Sequence, residues 1–384
     1  MPALAFASNF IWVMVIGLLG PSLPAIISGL GISYAQAGFF FTLLSLGSLL
    51  GSTVGAAASD RLPRKALYAA CAALYVGGLA GLGFTRTYVL VALFVFLASL
   101  GGSPLSAVGQ SIMLGMFPER RERNLSLMMS IGAVGSLLAP VLVSLNYAAG
   151  LAWRWPFLEA ASLAVVVFAA ILAVPIPAAG PPPERHTVLA ILGNRRVLGA
   201  SLMIFFSIGM DLGFSYWLAQ YFSAELHVST VMSSSVVGLY LAGIIASRFL
   251  IPVGLKRLSI ERHLAASLAV SVVTILLFIL VPTAGVKAAL CALYGLGVGP
   301  VVPLLLARGS REYPRQSGTV TGVLFAGLSL GGMVFPLLLG VIAARVGIAR
   351  SYWLSAGIAC GLLAVSLLPR RGPTGAARPS TAAP

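Results

Sequence analysis

One acid stands where an acid is expensive. Between Val197 and Phe222 a mostly apolar chain carries a single charged residue, Asp211. Ionisable side chains inside a membrane-length apolar run mark proton or solute paths. Ser207 and Ser215 stand four residues to either side, so the three share one helical face. Such a face suits a wet cavity, where Asp211 exchanges a proton or holds a solute. The plainer reading is a structural aspartate bonded to a neighbouring helix.

A second polar stripe runs through Ser99, Ser103, Ser106 and Gln110, at intervals of four, three and four. Gln110, Ser103 and Ser106 are candidates for solute contact, and hydrogen bonding between helices is the competing role. In the first apolar run, Asn9 is a further polar candidate. Trp12 suits either the solute or a lipid interface. Trp217, Tyr240, Tyr294 and Phe325 are the aromatics that would stack on a ring. Arg248 is read as a gating residue, an acid's partner, or a side chain that snorkels to the interface. Glu159 lies near Arg154 and is expected to pair with it.

Other chemistries find little material. Cys71, Cys291 and Cys360 lie in apolar runs without metal spacing and read as packing residues. His186, His227 and His263 fall in loops or at helix ends, so no histidine relay is built. No phosphate-binding loop, metal cluster or Ser–His pairing appears, so ATP drive and hydrolysis are not expected. No cofactor is expected.

The elements that must position these residues follow from composition. Of 384 residues, 59% are hydrophobic and 9% charged, against about 25% charged in a soluble domain. The solvent of such a chain is lipid. The net charge of +15 sits in short clusters between apolar runs rather than on a basic face, so nucleic acid is not a partner. The start lacks a basic region before its apolar run, so no cleavable signal is expected.

Twelve spans are expected, at about 6–29, 36–59, 64–84, 88–117, 124–149, 153–175, 196–222, 230–254, 262–281, 286–308, 316–345 and 349–369. The stretch 176–195, with three consecutive prolines at 181–183, reads as a cytoplasmic linker. It separates an N-terminal six-helix bundle, 1–175, from a C-terminal one, 196–369, with a cytoplasmic tail at 370–384. Of the 24 Lys and Arg residues, eighteen fall in alternate connections and five in the others. The positive-inside rule then places both termini and the linker in the cytoplasm, in the inner membrane.

The halves repeat. A shift of 196 residues pairs Gly17 with Gly213, Gly47 with Gly243, Gly101 with Gly297 and Gly135 with Gly331. It also pairs Pro104 with Pro300, Pro118 with Pro314, Pro140 with Pro336, Arg61 with Arg257 and Arg154 with Arg350. Two parallel related halves are the architecture of one large class of transporters.

The turn after the second span, Ala56 to Lys65, resembles the Gly-x-x-x-Asp-Arg-x-Gly-Arg-Lys motif of the major facilitator superfamily. Asp60, Arg61, Arg64 and Lys65 match, while Ala56 and Pro63 replace its glycines. The resemblance implies a gating role, Asp60 docking at the N-terminus of the eleventh helix to hold the outward-open state. Gly135 to Pro140 is similar to the family's Gly-x-x-x-Gly-Pro segment, which is associated with antiporters, and Gly331 to Pro336 matches as well. Both read as helix-packing elements. An arginine motif found in many drug antiporters is missing at Leu97 and Ala98. The stretch Phe205 to Gly213, with Trp217 and Tyr221, loosely resembles the fucose-permease-like sugar transporters.

The resemblance implies an all-α membrane protein, two pseudo-symmetric bundles that rock about a midplane site. The expected function is secondary transport of a small polar solute, sugar-like and proton-coupled, by a monomer. Efflux of drugs or amphiphilic metabolites is the alternative, and a non-transporting membrane sensor a distant one. A proton or another cation and the bilayer are the expected partners.

Overall fold

The computed structural model describes residues 1–59, 62–176, 195–255, 258–312 and 317–368. Among them, twelve helices are long and apolar enough to cross a membrane. The first half contains α1 (Pro2–Leu30), α2 (Tyr34–Ser59), α3 (Arg64–Phe84), α4 (Tyr88–Met116), α5 (Arg121–Ala148) and α6 (Trp155–Ala173). In the second half the seventh span is broken into α7 (Arg195–Ser215) and α8 (Leu218–Ala224). Then come α9 (Thr230–Leu255) and α10 (Ile260–Leu280). The tenth span is also broken, into α11 (Ala284–Val298) and α12 (Val301–Glu312). α13 (Ser317–Val346) and α14 (Ile348–Leu367) complete the chain's described helices.

Local chemistry sets the ends. Gly31 closes α1 at φ 62°, a left-handed conformation that favours glycine. Gly347, at φ 89°, joins α13 to α14 with no intervening loop. The Ser259 hydroxyl accepts from the Arg262 N–H and caps α10. Pro300 breaks the tenth span, whereas its repeat partner Pro104 lies inside the continuous α4.

The repeat is visible in the packing. A methyl built on Gly47 would lie 2.7 Å from the Phe96 carbonyl oxygen and 3.2 Å from the Leu100 nitrogen. One on Gly243 would meet the Ala292 oxygen and, at 3.0 Å, the Leu296 nitrogen, the same neighbours 196 residues on. Gly101 faces the Tyr75 nitrogen and Cys71 oxygen, and Gly297 the Ser271 nitrogen and Ser267 oxygen. Gly135 lies against Phe10 of α1, as Gly331 lies against Phe205 of α7. Small residues let these backbones approach, which is how helices associate without a hydrophobic driving force.

The two bundles touch at one end. Thr42, near the start of α2, donates to the Met333 carbonyl of α13 at 2.7 Å. Ser144, near the end of α5, meets the Ser235 hydroxyl of α9 at 3.1 Å. Ser234 donates to the Pro21 carbonyl at 2.9 Å, and Gln220 to the Tyr34 hydroxyl at 3.4 Å. Phe41 stacks on Tyr216 with ring centroids 4.2 Å apart. All these residues lie away from the end that carries Arg64, Lys65, Arg123 and Arg262. The described contacts between the halves thus gather at one end, the closed end.

Candidate functional site

Asp211 lies in the last part of α7, five residues before the break that starts at Tyr216. The Tyr240 hydroxyl of α9 donates to Asp211 Oδ1 at 2.5 Å. The carboxylate is part-exposed, while Tyr240 is fully buried. Arg248, about two turns along α9 from Tyr240, is exposed.

A ring of tyrosines holds this stretch of α7. Tyr294 of α11 donates to the Met210 carbonyl at 3.2 Å, and Tyr352 of α14 to the Phe214 carbonyl at 3.2 Å. Their rings surround Phe214, at 4.4 and 5.3 Å between centroids, with Tyr240 at 5.5 Å. Asp211 is therefore fixed by packing rather than free to swing. Nothing in the sequence had singled out Tyr352, because its aromatic environment is assembled from distant segments.

The polar stripe of the first half meets Asn9. Ser106 Oγ and Gln110 Nε2 both donate to Asn9 Oδ1, at 2.9 and 3.3 Å. Asn9 Nδ2 donates in turn to the Met128 carbonyl at 2.7 Å, so the network joins α1, α4 and α5. Asn9 and Ser106 are buried and Gln110 is half-buried, leaving Gln110 the member able to face a cleft. Ser99 donates to the Leu44 carbonyl, and Ser103 is half-buried.

Several candidates are placed in packing positions. Trp12 is 8% exposed, edge-on to Tyr75, with its ring over Gly102, and thus not at a lipid interface. Ser207 is buried and donates to the Met203 carbonyl of its own helix at 2.6 Å. Ser215 is buried where α7 meets α1 at Gly20. Trp217 is fully buried at the closed end, donating from Nε1 to the Pro336 carbonyl at 2.9 Å. Tyr294 is likewise fully buried. Phe325 is 48% exposed, seven residues from Gly332, on the α13 face that meets α2 nearer the closed end.

Of the gating candidates, Asp60 and Arg61 lie outside the described residues. Arg64 reaches Ser111 Oγ of α4 from Nη2 at 3.4 Å. Pro140 touches Gly238 and Pro336 touches Gly38, so each proline sits where its bundle meets the other.

Two charged residues differ from expectation. Glu159 accepts from Asn146 Nδ2 at 3.0 Å, whereas Arg154 donates to the Thr85 carbonyl at 2.9 Å and lies over the Trp153 ring. Sequence proximity had suggested a pair, but α6 carries Glu159 round toward α5. Lys287, grouped with loop charges from sequence, is 2% exposed. Its ammonium donates to the Phe278 carbonyl and lies over the rings of Tyr221 and Phe278, at 5.1 and 4.7 Å.

Comparisons with known proteins agree with this architecture. The chain is 23% identical over 339 residues to the uncharacterized MFS-type transporter YfkL of Bacillus subtilis, covering 86% of this chain and 84% of that one. It is 27% identical over 213 residues to the enterobactin exporter EntS of Salmonella typhimurium. That match covers 52% of this chain, which spans about half the exporter's length (49%). In fold, it is similar to the nucleoside transporter NupG, at a TM-score of 0.77 and 16% identity, over 95% of this chain and 96% of that one. A bacterial homolog of the human lysosomal transporter Spinster, in an inward-facing and occupied conformation, matches at 0.77 and 12% identity, over 94% and 95%. The family model of the Major Facilitator Superfamily matches residues 5–327. The chain thus belongs to the Major Facilitator Superfamily, a transporter rather than an enzyme.

Proposed function

We propose that this chain is a proton-coupled secondary transporter with its solute site between the bundles, beside Asp211. The observation that carries this reading is the Tyr240–Asp211 hydrogen bond at 2.5 Å, set in the stretch Val197–Ala224, which has no other charge. A carboxyl group held by one donor and part-exposed can take up a proton from a wet cleft and give it back. Orientation by the positive-inside rule makes the basic end cytoplasmic, and the contacts at the other end then correspond to an inward-facing conformation. Alternating access would then break the Thr42, Ser144 and Ser234 contacts and close the basic end.

The solute is a small organic molecule with a polar head and an apolar body. Asp211, Arg248 and Gln110 supply the polar contacts, and Phe325 apolar surface. A sugar bears hydroxyls on every side, and the Asn9 network already engages Asn9, Ser106 and one amide N–H of Gln110, leaving Gln110's remaining polar atoms as the network's share of a site. The likeness to an enterobactin exporter favours a second reading, outward transport of a larger amphiphilic metabolite.

The test is transport in vesicles under an imposed pH gradient. D211N is expected to abolish gradient-driven accumulation while leaving the purified protein folded. Undiminished accumulation by D211N removes Asp211 as the coupling group. Drug resistance in an expressing strain, without gradient-driven uptake in vesicles, selects the export reading instead.

A further inference from the structure

Arg248 is exposed in a membrane span, and the geometry of α9 shows to what. Residues on a helix turn by about 100° each, which places Arg248 ~80° from Tyr240. Leu239 and Met232, 45% and 63% exposed, lie on roughly the opposite side, the face turned to lipid. Ser234 and Val237 lie within about 40° of Arg248. Ser234 reaches across to the Pro21 carbonyl of α1, so this face looks at the first bundle. Nearer the closed end that face is buried, and at Arg248 it is open. The guanidinium therefore faces the cleft between the halves rather than lipid.

Its compensation is incomplete. Among the described residues no acid makes ion-pair contact with Arg248; Asp211, in the same bundle, is bonded to Tyr240, about two turns from Arg248 along α9. The other elements packed against α9 bring few ionisable groups toward it. α1 brings none within Pro2–Leu30, and α8 brings Tyr221. α11 brings Tyr294, bonded to Met210, and Lys287, enclosed at the far end. Arg121, Glu122 and Arg123 of α5 and Glu261, Arg262 and His263 of α10 stand at the basic helix ends.

Resting on the transport reading above, we propose that Arg248 binds the carboxylate of the solute, and that the solute is an organic monoanion carried together with one proton. Charge balance is the argument. With Asp211 ionised and the site empty, Asp211 and Arg248 sum to zero. With a proton from the cleft bound on an Asp211 oxygen and a monoanion on Arg248, the sum is again zero. Either ligand alone leaves a net charge of one in the site, which is costly to carry across hydrocarbon. The two neutral states can pass through the occluded form and the charged ones are impeded, so proton and anion move in a one-to-one ratio. Arginine suits the role, because its planar fork grips a carboxylate through two parallel bonds.

The experiment compares matched acids and neutral molecules on the purified full chain: benzoate against benzamide, and gluconate against glucose. Acid-selective thermal stabilisation is expected. R248Q should weaken acid binding by about tenfold or more, the scale of a lost charged hydrogen bond, and R248K by less. In vesicles, accumulation of the acid should follow the pH gradient and be indifferent to membrane potential. Equal stabilisation by neutral counterparts, no acid-selective stabilisation at all, or unchanged acid binding in a folded R248Q overturns the proposal. If D211N abolishes gradient-driven uptake of a neutral solute, the coupling reading stands and the anion proposal falls. If acids bind through Arg248 while D211N accumulates them undiminished, the anion site stands and Asp211 is not the coupling group.

Discussion

Thr42 of α2 donates to the carbonyl of Met333 in α13 at 2.7 Å, tying the two bundles across their closed end. The acceptor lies three residues before Pro336, where the helix lacks an N–H. Ser234 and Trp217 likewise donate to carbonyls of prolines, Pro21 and Pro336. These side chains thus bond helix carbonyls at or near prolines, and two of the three bonds, from Thr42 and Ser234, cross the interface between halves.

Weakening these bonds should open the closed end. T42V and S234A each remove one hydrogen bond, worth about 1 kcal/mol, or roughly a fivefold change in population. Spin labels at Gln36 and Ser229, both exposed at that end and in different bundles, report the distance between halves. The double variant is expected to gain a longer-distance population absent from the parent. An unchanged distance distribution means that packing around Phe41 and Tyr216 alone holds the closure.

The paired glycines give a stability prediction with an internal control. G47A and G243A each place a methyl against a backbone carbonyl of the next helix, Phe96 or Ala292. Backbone cannot move aside as a side chain does, so each should lower stability by roughly 1–3 kcal/mol. Gly77 and Gly357 have nothing within 4 Å of a built methyl. G77A and G357A should be neutral, or stabilising by up to about 1 kcal/mol, since alanine favours the helix. Thermal unfolding in detergent would rank the four, and equal effects at all four sites would contradict the packing argument.

The helices, their number and the repeat were legible because lipid imposes long apolar runs and because glycine and proline punctuate them. The break at Tyr216 and Trp217 was not, since neither residue is a helix breaker; it arises where the seventh span packs against α1 and α2. The site was legible only as isolated residues. Asp211 stood out by charge, but its partnership with Tyr240 joins residues 29 apart in sequence. Trp217 and Tyr294 were legible as aromatics, and nothing in the sequence said that their polar atoms bind backbone at the closed end and at Met210.

Lys287 offers a test of what a buried cation does here. Its ammonium has one carbonyl acceptor and two aromatic faces, with no acid beside it among the described residues. Replacing a buried charge by an apolar side chain of similar volume is often neutral or stabilising. K287M should therefore fold with stability within about 1 kcal/mol of the parent, or above it. K287A leaves a void among Tyr221, Phe278 and Cys291 and should cost about 2–4 kcal/mol. A K287M variant as unstable as K287A would show that the ammonium itself holds α10 to α11.

Orientation is predicted from where the basic residues fall. Eighteen of the 24 Lys and Arg residues belong to connections on the basic end, against five on the other. Two of those five are tied into the protein: Arg154 to the Thr85 carbonyl and the Trp153 ring, and Lys287 to its aromatic box. On the basic end Arg64 and Lys65 are bonded as well, to Ser111 and the Leu172 carbonyl, so the asymmetry that orients the chain is the count itself, eighteen to five. Single cysteines at Thr87 and Ser229 should react with an impermeant maleimide in intact cells, in a background lacking Cys71, Cys291 and Cys360. Cysteines at Glu119 and Ser259 should react only after permeabilisation. The reverse pattern would make the closed end cytoplasmic, and the conformation described here would then open outward.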